Sequence, residues 1–324
     1  MAFDHVTWIK AASYLGSGLA VGFGAIGAAL GEGYTAGKAN QVLAYRPRMS
    51  GDILKTMLVG QAVAESAAIF ALVISMLLVF GGLGGPTPLS AWAYLGAGLA
   101  AGLSAVGSGV GSGFPAAAAC EGIGRQPKAS GQVTLIMLIG SAITQTPCIF
   151  GLVIAFLLMF VDFSAKPYYP YWAALLGAGL STGLAAIGPG AGGGLVGASA
   201  CKSVARHPEA QRPVTTAMLV GIGTTQSTAI YGFLISLILL FKSFPASTSY
   251  VPSFALLGAG FAMGFGGIGP GIGEGITGGY ALDQVGRIPE KATLLTRTML
   301  VGQAVSESTG IYSLVVALLL VLNA

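Results

Sequence analysis

The chain has 324 residues, of which 54% are hydrophobic and only 8% charged, with a formal net charge of +4. Soluble domains run near a quarter charged, so the composition excludes a water-soluble globular protein and indicates an integral membrane protein. Its basic residues fall in a few short segments, which excludes a nucleic-acid-binding surface.

The opening MAFDHVTWIKAAS has no charged n-region followed by an apolar h-region and an A-x-A site, so no cleaved signal peptide is expected. The first unit, 1–85, then carries the glycine-rich stretch GSGLAVGFGAIGAALGEG (16–33) with Glu32 near its end. A short basic turn, YRPRMSGD, with Arg46 and Pro47 leads to a second apolar stretch that contains MLVGQAVAES (57–66) and Glu65. The second unit, 86–165, repeats this order with GAGLAAGLSAVGSGVGSG (96–113), the turn GRQPKASGQ (Arg125, Pro127) and MLIGSAITQT (137–146). In the third, 166–248, the parts are GAGLSTGLAAIGPGAGGG (177–194), ARHPEAQRP (Arg206, Pro208) and MLVGIGTTQS (218–227). The fourth, 249–324, has GAGFAMGFGGIGPGIGEG (258–275), GRIPEKAT (Arg287, Pro289) and MLVGQAVSES (299–308).

Internal repetition of this kind fixes the organisation before any fold is considered. Glu65, Gln145, Gln226 and Glu307 share one register, spaced 80, 81 and 81 residues apart. Each unit reads as a Gly-rich helix, a basic Arg-x-Pro turn and a helix rich in Leu, Ile, Val and Phe. Both stretches exceed the roughly 20 residues needed to span a bilayer. The expected fold is an all-α membrane protein of eight transmembrane helices in four tandem hairpins. Glycines recurring at intervals of two to five, as at Gly96, Gly98, Gly102 and Gly107, suit an inner helix packed tightly on both sides.

Lys and Arg concentrate in the four turns, while the linkers between units hold only Lys166 and Lys242. The positive-inside rule places the turns in the cytoplasm and both termini outside, with Trp92, Tyr168, Tyr169, Tyr171 and Trp172 at the outer interface. Cys120, Cys148 and Cys201 have no metal-ligand spacing and read as small packing residues.

Glu32, Glu65, Glu274 and Glu307 fall in mid-membrane, where a carboxylate costs at least about 2.5–3.5 kcal/mol. Such residues serve either as protonated interhelical glue or as ion carriers. A pair such as Glu32 with Glu65 favours holding one proton or one cation between its two groups. GIGPGIGEG superficially resembles a phosphate-binding loop, but no strand precedes it and no Gly-Lys-Ser/Thr follows. A repeat-built secondary transporter is a competing class. Against it stand parallel hairpins with no inversion. A structural ring with vestigial carboxylates is a third reading.

Units one and four resemble the c subunit of F-type ATP synthases, the proteolipid of the membrane rotor ring. The likeness rests on GIGEG (271–275), Arg287-Ile288-Pro289 and VSESTGIY (305–312). Units two and three carry Thr144-Gln145 and Thr225-Gln226 in the carboxylate register, with Ser112 and Gly193 in place of the inner glutamate. This is similar to the V-type proteolipid, and the whole chain resembles a fused four-hairpin rotor protein.

The resemblance implies a ring of several copies, with hairpins one and four adjacent across each chain-to-chain junction. It implies a stator subunit with an essential arginine, and central-stalk subunits docked on Arg46, Pro47, Arg125, Pro127, Arg206, Pro208, Arg287 and Pro289. Glu65 and Glu307 would carry Na+ or H+ through membrane lipid, in a prokaryotic plasma membrane. The chain itself would have no catalytic chemistry and no organic cofactor. The family's sodium sites imply the set Glu274, Val305 (carbonyl), Glu307, Ser308, Thr309 and Tyr312 in unit four. Unit one offers Glu32, Val63, Glu65 and Ser66, with Ala67 and Phe70 in the last two places. Thr144, Gln145, Thr225 and Gln226 are auxiliary ligands on the same likeness. A dense oxygen cluster favours Na+, whereas a shared proton would also satisfy paired carboxyls.

Overall fold

The computed structural model describes residues 4–81 and 87–324, and the expected 85/86 boundary lies outside them. Among the described residues, eight helical spans are long and apolar enough to cross a membrane. Hairpin one is α1 (His5–Tyr45) and α2 (Ser50–Phe80). Hairpin two is α3 (Leu89–Arg125), α4 (Ser130–Thr144) and α5 (Thr146–Phe160). Hairpin three comprises α6 (Tyr168–Ala185), α7 (Ile187–Arg206), α8 (Gln211–Thr225) and α9 (Ser227–Phe241). Hairpin four comprises α10 (Val251–Gly266), α11 (Ile268–Arg287) and α12 (Ala292–Leu322).

Single residues with near-helical dihedrals interrupt four of the spans: Gln145, Ala186, Gln226 and Gly267. Pro147, Pro189 and Pro270 follow three of them closely. Proline lacks an N–H and its ring crowds the carbonyl four residues back, which bends the rod there. Nothing in the local sequence accounts for the break at Gln226. The two Glu-bearing outer helices, α2 and α12, run unbroken.

All four turns are built alike. Each inner helix closes on a residue before proline, Arg46, Gln126, His207 or Ile288, with φ between −135° and −131°. Proline disfavours the α conformation at the residue before it, so the helix must stop. A 3₁₀ turn then starts at each proline. This register corrects one expectation: Tyr45 is equivalent to Arg125, Arg206 and Arg287, so the first turn is Arg-Pro rather than Arg-x-Pro.

The inner helices α1, α3, α6–α7 and α10–α11 pack side by side in chain order, with the outer helices behind them. Glycine permits this spacing. A Cβ on Gly27 would lie 2.5 Å from the Ala105 carbonyl oxygen, and one on Gly107 2.5 Å from the Ile187 Cα. Gly98 and Gly102 face the backbone of Gly16 and Leu19 in the preceding hairpin. Their equivalents Gly18 and Gly22 face nothing within 4 Å, and neither does Gly269, the equivalent of Gly107 and Gly188. The two ends of the row therefore present opposite, complementary close-approach faces uncovered, and the terminal spans are less buried than the middle ones.

Two apolar cores lie along the helices. One, away from the turns, includes Ile74, Leu158, Leu175, Leu239 and Leu256. The other, toward the turns, includes Ile53, Ile123, Ile136, Met218 and Met299. The shared Glu/Gln register falls between them. At the end away from the turns, Trp8, Trp92, Trp172 and Phe254 form a ladder with centroid separations of 6.1, 5.0 and 6.4 Å. Tyr171, at the same end, is turned inward. It is buried, donates to the Lys242 carbonyl at 3.0 Å and accepts from the Phe244 N–H at 3.1 Å. The three cysteines are free and buried, as packing residues should be.

Gly107→Val should push α3 from α7 and destabilise the fold by about 2 kcal/mol or more. Gly18→Ala, facing open space, should be near neutral. Thermal melts followed by circular dichroism in detergent would compare the two.

Candidate functional site

The mid-helix polar register is organised at the junctions between hairpins. At the junction of hairpins three and four, α12 brings Glu307 against α9, where the Tyr231 hydroxyl donates to its Oε1 at 2.6 Å. Glu274 on α11 is fully buried, close enough to Glu307 to interact electrostatically, and neither of its carboxyl oxygens has a hydrogen-bond partner. Ser227 and Thr228 of hairpin three also hold buried hydroxyls without partners. Buried polar atoms are nearly always paired, so this is an oxygen-rich seat with spare capacity for a cation or a proton.

Gln303, one helical turn before Glu307, is 2% exposed. Its Nε2 donates to the carbonyls of Glu274 (3.1 Å) and Gly221 (3.0 Å), and its Oε1 accepts from the Thr224 hydroxyl at 2.7 Å. In hairpin one, Gln61 donates likewise to the Glu32 carbonyl at 3.2 Å.

The junction of hairpins one and two has the same plan with a carboxamide in place of the carboxylate. Gln145 Nε2 donates to Ser112 Oγ at 2.6 Å and, across the junction, to the Val63 carbonyl at 3.0 Å. Ser66 donates to that same carbonyl at 2.7 Å. Between hairpins two and three, a Cβ on Gly193 would lie 3.4 Å from both Gln226 Nε2 and Thr144 Oγ1. Gln226 there donates to Thr225 Oγ1 at 3.2 Å and has no hydrogen bond to an inner-helix side chain among the described residues.

At the one–two and three–four junctions the seat thus combines the register residue of one hairpin with oxygens from the hairpin before it. Tyr231, Thr224 and Gln303 thereby join the residues that the family's sodium sites imply. Tyr312 is 65% exposed and Val305 is exposed on the uncovered flank of α12, and neither touches Glu307. Ser308 and Thr309 bond only within their own helix, to the carbonyls of Val305 and Ser306. At the opposite flank Glu65 is exposed and Glu32 half-buried, near enough to one another to interact electrostatically. Tyr231, Thr224 and Gln303 were missed by the motif reading. The repeat register carried the signal for Tyr231, which is the equivalent of Tyr312.

At the turn face, Arg206 and Arg287 share Asp283 at 2.6 and 3.0 Å, and Arg125 pairs with Glu121. The Arg206 pair joins hairpin three to hairpin four. Arg46 has no ion-pair partner among the described residues.

Comparison with known proteins agrees with this repeat. The family model for the ATP synthase C subunit matches four times, over residues 15–78, 95–158, 176–239 and 257–320. The chain is similar to the ATP synthase c subunit of Petrotoga mobilis, 62% identical over 20% of this chain and 68% of the relative. Similarity to the ATP synthase c subunit of Alkaliphilus oremlandii is 59% identity over 20% of this chain and 72% of that relative. A longer match is to the A-type ATP synthase K subunit of Methanocaldococcus jannaschii, 32% identical over 70% of this chain and 94% of the relative.

In the single chain in detergent, Tyr231→Phe should lower the thermal midpoint by removing a hydrogen bond to a charged group, a contact of about 1.5–3 kcal/mol at most. Tyr312→Phe, which breaks no contact within the chain, should leave the midpoint unchanged.

Proposed function

Because the chain belongs to the ATP synthase C-subunit family, whose model matches in each of its four hairpins, we propose that it is a rotor-ring component of a rotary ATP synthase or ATPase that carries Na+ on Glu65 and Glu307. It has no catalytic chemistry of its own and couples ion movement to rotation. The observation that carries the reading is the Glu274–Glu307 seat, with two carboxyls at mid-membrane, both Glu274 oxygens unpartnered and the Tyr231 hydroxyl on Glu307. A hard cation takes several oxygen ligands, and this seat offers them, so Na+ is favoured over H+ as the cargo.

The mechanism follows from the cost of charge in lipid. An empty, ionised Glu307 cannot face hydrocarbon cheaply. Loading neutralises it, and Tyr231 holds one carboxylate oxygen so that the other stays directed at the ion. A stator arginine then displaces the ion as the seat leaves lipid. Gln145 and Gln226 remain neutral throughout and pass the stator without carrying charge. Two carriers in four hairpins mean fewer ions per turn than one per hairpin, a ratio suited to building steep gradients by ATP hydrolysis. The basic turns, on the cytoplasmic side, dock the central stalk.

The uncovered flanks support a ring of several copies. By the junction plan, the seat at Glu65 and Glu32 is completed by a second copy's Val305 carbonyl, Ser308, Thr309 and Tyr312. The open glycines Gly18, Gly22 and Gly269 are the matching close-approach points.

Carbodiimide treatment of the purified ring should modify Glu65 and Glu307, and Na+ at constant pH should suppress it. Labelling governed by pH alone would identify the proton as cargo, and no reaction at either residue would count against ion carriage. Separately, Gly22→Leu and Gly269→Leu should leave helical content unchanged by circular dichroism while abolishing the ring band in native mass spectrometry.

A further inference from the structure

We propose that Gln303, acting with the Thr224 hydroxyl, is a positioning residue that sets the geometry of the Glu274–Glu307 seat without touching the ion. The inference rests on the ion-carrier reading above.

Three of the four hydrogen-bonding positions of the Gln303 amide are used. Its two N–H groups reach the carbonyls of Glu274 and Gly221, and its oxygen accepts from Thr224. Two carbonyls on one side and a hydroxyl on the other fix which end is nitrogen. Gln303 and Glu307 are four residues apart on α12 and share a face. The bond to the Glu274 carbonyl therefore ties the inner-helix carboxyl to the outer-helix one at a set separation.

Thr224 supplies the other side. It occupies the register of Val63, whose carbonyl receives the Gln145 amide at the hairpin one–two junction. By that equivalence the Thr224 carbonyl is the main-chain oxygen contributed to the Glu307 seat. Its hydroxyl bond to Gln303 holds α8 of hairpin three to both helices of hairpin four. The clamp thus spans the three helical segments that build the seat.

The repeats supply an internal comparison. Glutamine stands at this position only where a Glu pair follows: Gln61 with Glu32 and Glu65, Gln303 with Glu274 and Glu307. The hairpins lacking carboxylates have Ser141 and Ile222 instead. A clamp is needed where two carboxyl groups must be held together, and not where a neutral amide fills the register. The two Glu seats also differ. The residue facing Gln61 across a chain-to-chain junction is a second copy's Val305, which has no hydroxyl, so that clamp has one bond fewer. The Glu307 seat should therefore bind its ion more tightly than the Glu65 seat.

The test uses the assembled ring, carbodiimide labelling and peptide mass spectrometry, which reads Glu65 and Glu307 separately in one sample. In the wild type, Glu307 should be half-protected at a lower Na+ concentration than Glu65. Gln303→Met should raise the half-protecting concentration at Glu307 by about tenfold, the size expected from a net loss of about 1.4 kcal/mol in hydrogen bonding, and leave Glu65 unmoved. Thr224→Val should bring Glu307 close to the Glu65 value, and Thr224→Ser should keep the wild-type midpoint. If protons are the cargo, the pH of half-labelling replaces the Na+ concentration, with the same site-selective change. An unmoved Glu307 midpoint in Gln303→Met and Thr224→Val, or an equal shift at Glu65, overturns the clamp while leaving ion carriage intact. A wild-type ring unlabelled at both glutamates overturns the ion-carrier reading and the clamp with it.

Discussion

Backbone-to-backbone contact between the inner helices is the constraint on which the rest of the structure depends. Side chains larger than hydrogen at Gly27 or Gly107 would enter the neighbouring backbone. In lipid, where apolar surface gains little by meeting apolar surface, close packing of small residues is what holds helices together. Close inner helices in turn bring the outer helices of successive hairpins near enough to share polar groups at mid-depth. Tyr231 reaching Glu307 and Gln145 reaching Val63 both follow from that spacing.

The polar register lies between two apolar cores, one toward the turns and one away from them. Isolation there makes each polar atom expensive to leave unpaired. The Gln145 amide nitrogen meets part of that demand at the Ser112 hydroxyl and, across the junction, the Val63 carbonyl, while its oxygen, like that of Gln226, has no partner. In the Glu-bearing hairpin four both Glu274 oxygens lack partners. A carboxamide brings its own donors, whereas a carboxylate must borrow a proton or a cation. That chemical difference separates the carboxamide seats from the carboxylate one.

Charge at the turn face is arranged with similar economy. Asp283 holds Arg206 and Arg287 together and links adjacent hairpins, and Arg125 rests on Glu121. Such exposed pairs contribute at most about 1 kcal/mol each. Their main effect is to orient the turns and to lower the positive charge of the rim.

The fold was legible in the sequence because repeat spacing, hydropathy and the Gly and Pro positions are properties of the chain read in one dimension. The 80- and 81-residue register placed Glu65, Gln145, Gln226 and Glu307 at one depth, and each turn proline marked a helix end. Membership of the seat was not legible in the same way. Val305, Ser308, Thr309 and Tyr312 adjoin Glu307 along the chain, which grouped them with it. Yet residues five apart on a helix point about 140° from one another, so Tyr312 turns to the free flank while Tyr231 of the preceding hairpin meets Glu307. Sequence determined which residues lie at the depth of the seat; only the packing of one hairpin against the next decided which of them face each other, because a site between helices is made of directions that neighbours along a chain do not share.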